Sequence, residues 1–292
     1  MQKYLRFAGI TVVLLFALIG FVFTVVFVGM QFGAFNVRGS IKERNDFFQT
    51  GTTKKEALTS NSTSTQAVEP SCVNGDTVCA WNETREWTAV SGGLAKDQAI
   101  INKVAKATGV SPRLIATIVV PEQTRFFTAE REVFKRYFEP LKILGSLSKF
   151  SLGVSGIKQD TALLIEQYAN DPTSPFYPGD AYAPLIAYET GVDHDKVLYD
   201  RLTDAKNHEY SYLYTALFVK EIATQWKNAG FDISNNPGAI VTLFNIGFKK
   251  SRPNANPQLG GAEIITGGKT YTYGELGSLF FSSAELRKEF PN

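Results

Sequence analysis

Two cysteines and two histidines are all that 292 residues offer. They cannot build a four-cysteine zinc site, and a mixed site would need all four in one arrangement. The same shortage argues against haem and iron–sulfur ligation, so neither a metal nor a cofactor is expected. An excess of charge is missing too, with 30 Lys+Arg against 28 Asp+Glu. Lys3, Arg6 and Arg38 account for the small positive surplus, because residues 1–38 hold no acid. A nucleic-acid surface requires a basic excess, and the rest of the chain has none. No internal repeat is visible and alternating strand patterns are scarce, which leaves helix as the main element.

Long apolar runs are absent with one exception. Residues 8–30, AGITVVLLFALIGFVFTVVFVGM, contain no charge and only two Thr. At about 1.5 Å rise per residue they span roughly 35 Å, enough to cross a hydrocarbon core of about 30 Å. The run is longer than the roughly 7–15 apolar residues of a cleavable signal, and Phe32-Gly33-Ala34 makes a poor cleavage site. The expectation is one permanent transmembrane helix, with the lipid bilayer as a partner of residues 8–30. Flanking charges give no clear orientation, since Arg38, Lys42 and Arg44 after the run match Lys3 and Arg6 before it. The cysteines point outward. Cys72 and Cys79 enclose six residues with an Asn74-Gly75 turn signal. So short a loop closes easily into a disulfide, which persists in an oxidising compartment; two free thiols are the alternative.

Three regions follow: a tail and anchor over 1–38, a tether over 39–91 that includes the cysteine loop, and a domain over 92–292. The polar run 40–70 is rich in Ser, Thr and Lys and reads as flexible. Asn61 and Asn82 begin glycosylation-type triplets of little weight. Helices are expected around Ala99–Ala105 up to Gly109, after Ser111-Pro112, and over 129–138, 158–169, 193–204, 208–228, 237–248 and 273–288. Leu213/Tyr214, Leu217/Phe218, Ile222 and Trp226 form an apolar stripe on the longest of these. A small hairpin is expected over 262–273 around Gly267-Gly268. Residues 170–188 form a Pro- and Tyr-rich loop. The domain is mainly α.

One residue breaks the pattern. Ile115, Ile118/Val119 and position 122 share a helix face, and position 122 is Glu. Burial among apolar groups favours the protonated form of a carboxyl, and a neutral carboxylic acid is what protonation of a glycosidic oxygen requires. Pro121 is expected to end or kink the helix and set Glu122 at a cleft. The plainer reading pairs Glu122 with Arg125 or turns it to solvent.

Three segments widen the picture: Arg113-Leu-Ile-Ala-Thr-Ile-Val-Val-Pro-Glu122-Gln123, Ser151-Leu-Gly153-Val-Ser-Gly156-Ile-Lys-Gln159-Asp-Thr161-Ala162, and Leu243-Phe-Asn245-Ile-Gly247. In order and spacing they resemble the lytic transglycosylases of the lysozyme-like superfamily, over roughly residues 95–250. The resemblance implies a lysozyme-like α+β domain that cleaves bacterial peptidoglycan glycan strands. It makes Glu122 the general acid/base. Ser151, Gly153 and Gln159 would line one wall of the groove, while Phe244 and Asn245 would contact glycan. The implied chemistry is proton donation by Glu122 to the leaving oxygen, support from the substrate's N-acetyl group, and attack by the muramic C6 hydroxyl to give a 1,6-anhydro product. Attack by water would make a muramidase, which a second carboxylate favours; Glu130, Glu132 and Glu139 read instead as a solvated face. Gln123, Val154, Lys158 and Phe244 stand where the family has Ser, Ala, Met and Tyr. An inactive glycan-binding or scaffolding member of an envelope complex is the alternative. Either one would be a single-pass protein of the bacterial cytoplasmic membrane, its domain on the outer side.

Other patterns carry less. Gly153-Val-Ser155-Gly156 is not a nucleophile elbow. Gly268-Lys269-Thr270 lacks the opening glycine of a phosphate loop and reads as a turn. His194 and His208 lie among charged residues and are expected at the surface. Tyr177, Tyr182, Tyr188, Tyr210, Tyr212 and Tyr214 could stack on sugars, but packing explains most of them.

Overall fold

The computed structural model describes residues 21, 72–127, 151–204 and 206–292. The chain separates into two units, Met1–Arg38 and Gly39–Asn292, and all the described residues except Phe21 belong to the second. No helix among the described residues is long and apolar enough to cross a membrane. The run 8–30, apart from Phe21, lies outside them, as do the expected helix 129–138 and Glu130, Glu132 and Glu139.

Eight helices carry the described part: α1 (Arg85–Lys96), α2 (Gln98–Thr108), α3 (Pro112–Phe127), α4 (Gln159–Ala169), α5 (His194–Thr203), α6 (Glu209–Asn228), α7 (Pro237–Ile246) and α8 (Tyr273–Ser282). Two antiparallel hairpins interrupt them, β1 (Ser151–Leu152) with β2 (Ile157–Lys158) and β3 (Glu263–Thr266) with β4 (Lys269–Thr272). The described domain is mainly α. Local chemistry sets its boundaries. Ser111 Oγ accepts the Leu114 amide and Pro112 occupies the first turn of α3. Asp193 and Asn236 cap α5 and α7 in the same way. Thr272 and Glu275 form a capping box at α8.

The longest helix is the centre. α6 buries Tyr212, Tyr214, Leu217, Phe218, Ile222 and Trp226 on more than one face, as a helix surrounded by others must. α2 and α4 pack against it, while α3, α7 and α8 pack on one another. The core begins upstream of residue 92: Cys72 is buried, and Trp81 and Trp87 meet edge-to-face at 4.9 Å beside Phe280. Cys72 and Cys79 are joined by a disulfide with Cα atoms 5.9 Å apart. The closed loop rests on the β3–β4 turn, where the Cys79 amide donates to the Gly267 carbonyl.

Arg113 ties the start of α3 to the end of α8. Its guanidinium is fully buried, lies 4.0 Å above the Phe280 ring, and donates to the carbonyls of Phe280, Phe281, Ser283 and Glu285. These carbonyls lie at a helix C-terminus, where orphan acceptors and the helix dipole both favour a cation.

Candidate active site

α3 runs through Pro121 without ending, so Glu122 sits inside the helix rather than at its end. The proline removes one N–H, and tertiary packing makes up the loss, since residues 115–124 are all buried. Glu122 is therefore enclosed by core, 3% exposed.

The β1–β2 turn comes directly against it. Gly153 and Gly156 both have positive φ, +64° and +66°, and the Gly156 amide closes the turn on the Gly153 carbonyl. A Cβ on Gly156 would lie 2.1 Å from Glu122 Oε1 and 2.5 Å from its Cδ. Only glycine lets the backbone approach the carboxyl this closely. The neighbouring side chain fixes the register: Gln123 Nε2 donates to the Val154 carbonyl. From the far side, Ser155 bonds Ser211 of α6 through both its amide and its hydroxyl at 3.4 Å. A Cβ on Gly153 would strike the Leu202 carbonyl at 2.3 Å. The turn is thus held between α3, α5 and α6.

The remaining expected residues are placed differently. Ser151 pairs with Lys158 at the base of the hairpin, and Gln159 opens α4 with its side chain buried. Phe244 packs edge-to-face on Phe218 at 5.0 Å. Asn245 Oδ1 accepts the Ala262 amide at 2.8 Å. Both are engaged in internal contacts. The structure thus joins Glu122 to the glycine turn, while Asn245 anchors the loop before β3.

His208 is a correction. It is buried rather than at the surface, with Nδ1 2.5 Å from Asp97 Oδ2, and the Tyr212 hydroxyl donates to the same oxygen at 2.7 Å. Burial and Asp97 push the Tyr212 phenol well up. Gly268-Lys269-Thr270 belongs to the β3–β4 turn and strand. Among the described residues no group of three His, Cys, Asp or Glu could hold a metal ion.

Two features escaped the sequence. Glu221 of α6 is fully buried, and neither carboxyl oxygen meets a hydrogen-bond partner among the described residues. Desolvation drives its pKa well above the ordinary range. Glu166 of α4 accepts from the hydroxyls of Tyr188 and Tyr214 and faces His194 Nε2 at 2.8 Å. The signal for Glu166 is Tyr214 in mid-stripe, because a buried tyrosine needs a partner for its hydroxyl. The chain matches no protein-family model, and neither a curated protein nor a solved structure matches it significantly.

Proposed function

We propose that this protein cleaves the β-1,4 bond between N-acetylmuramic acid and N-acetylglucosamine in peptidoglycan, with Glu122 as the acid and base of a lysozyme-like lytic transglycosylase. The reading rests on one juxtaposition: a carboxyl enclosed by apolar core, with a glycine turn brought against it from more than thirty residues away. Glu122 would donate a proton to the glycosidic oxygen as the C1–O4 bond breaks. The substrate's N-acetyl group supports the charge at C1. The C6 hydroxyl then attacks C1, and its proton returns to Glu122. The residues 8–30 would hold the enzyme in the cytoplasmic membrane, with the domain on the outer side near its polymer. No cofactor enters this scheme.

A second reading, an inactive glycan-binding or scaffolding protein of an envelope complex, draws on Gln123, which stands where the family has Ser and commits its side chain to the Val154 carbonyl of the altered glycine segment. Digestion of purified peptidoglycan by the full-length protein separates the two. Wild type is expected to release 1,6-anhydro-muramyl products, and Glu122→Gln to lose at least about a hundredfold in rate. Reducing ends would assign hydrolysis. Binding to the wall without cleavage by either protein would favour the scaffold, and neither cleavage nor binding would refute both readings.

A further inference from the structure

A second polar site lies where α4 meets the 170–188 loop and the start of α5. It is a cleft of about 500 Å3. Two carboxylates line it, Glu166 and Asp180, and no lysine or arginine does. The nearby cation Arg201 is engaged elsewhere. It donates to the Ile186 and Ala187 carbonyls at 2.8 and 2.6 Å and lies over the rings of Tyr188 and Tyr210. Asn170, Tyr188 and His194 also line it, and its aliphatic part is built from Ala183, Pro184, Ile186 and Ala187.

Glu166 is fixed before any ligand arrives. Tyr188 and Tyr214 hold Oε1 and His194 meets Oε2, with only 12% of the side chain exposed. Burial and the carboxylate push the Tyr188 phenol to about 12 and Tyr214 higher still, so both remain donors at neutral pH. Asp180 is exposed; Tyr177 donates to its Oδ1. The cleft therefore offers carboxylate oxygens beside methylene-sized apolar surface. It lacks a stacking platform for a sugar, because His194 at 4.2 Å and Arg201 at 4.1 Å already lie against the Tyr188 ring.

We propose that this cleft binds an aliphatic primary ammonium group of the kind a lysine-like side chain carries. Asp180 and Glu166 supply the countercharge, and the Ala183–Ala187 wall covers the methylene stem. The site is independent of the chemistry assigned to Glu122.

The test is calorimetric titration of the full-length protein with Nα-acetyl-lysine amide. Saturable binding with a Kd on the order of 1 mM is expected for a ligand of this size. Nε-acetylation keeps the shape and removes the charge, and binding should weaken roughly tenfold. Glu166→Gln abolishes half the countercharge but also loosens the tyrosine network, so Asp180→Asn is the deciding variant. At that exposed position the fold and Tm should hold while the Kd rises about threefold. Tighter binding of the acetyl-lysine amide than of n-butylamine identifies a peptide-borne amine, and equal binding a free one. Equal affinity for the charged and acetylated ligands, an unchanged Kd in Asp180→Asn, or the lack of saturable binding would each overturn the assignment.

Discussion

Replacing Gly156 by alanine tests the geometry on which the candidate site depends. Two costs are expected. The φ of +66° places a Cβ in the left-handed region, at roughly 1–2 kcal/mol. The three atoms nearest that Cβ all belong to Glu122, at 2.1, 2.5 and 2.9 Å. Relieving this overlap in a packed core should cost about 1–3 kcal/mol more. Gly230 isolates the first cost, because its φ is +87° and nothing lies within 4 Å of its would-be Cβ. Chemical denaturation of Gly156→Ala, Gly230→Ala, Glu122→Ala and the double variant Gly156→Ala/Glu122→Ala forms a complete cycle. Gly156→Ala should cost about 3 kcal/mol in the native background, or about 6–12 °C in Tm. In the Glu122→Ala background it should fall to the Gly230→Ala value, giving a coupling of about 1–3 kcal/mol. An equal cost in both backgrounds would show that the turn does not rest on the carboxyl, and the site as described would fall.

Two further outcomes follow from buried groups. Because desolvation raises the Glu221 pKa above its ordinary 4.5, the folded protein holds that proton more tightly than the unfolded chain. Its contribution to stability is full below about pH 4.5 and is lost as pH rises toward the elevated folded value. Glu221→Gln should thus stabilise the protein at pH 8 by about 2 kcal/mol and barely at pH 4, read from denaturation midpoints at both pH values; equal shifts at the two would contradict the burial assigned to it. Cys72→Ser/Cys79→Ser opens a loop with a sequence separation of 7, and about 2.5 kcal/mol should be lost. Reducing agent should destabilise the wild type by the same amount and leave the variant unmoved.

Periodicity and capping made most of this fold legible. Ser111-Pro112, Asn236-Pro237 and Thr272 with Glu275 announce helix starts by chemistry local to a few residues. Pro121 misled for the complementary reason: the rule that proline ends a helix is local, and the packing that overrides it is not. Glu122 and Glu221 make an instructive pair, since both interrupt an apolar stripe. Only Glu122 stands out in the sequence, because Tyr214, Phe218 and Ile222 around Glu221 read as an ordinary buried stripe. His208 looked like a surface residue beside Asn207 and Glu209, yet its partner Asp97 lies 111 positions away. Pairings of that range leave no trace in a neighbourhood of ten residues.

The seating of Arg113 has a consequence for how the chain is made. Its acceptors, the carbonyls of Phe280, Phe281, Ser283 and Glu285, follow it by 167 to 172 positions. On the ribosome the guanidinium therefore emerges long before anything that can neutralise its burial. Until residues 280–285 appear, closing α3 into the core would strand a charge without partners, at several kcal/mol. Completion of the core is thereby tied to synthesis of residues 280–285, and a nascent domain stopped short of residue 280 should stay open to proteases and chaperones.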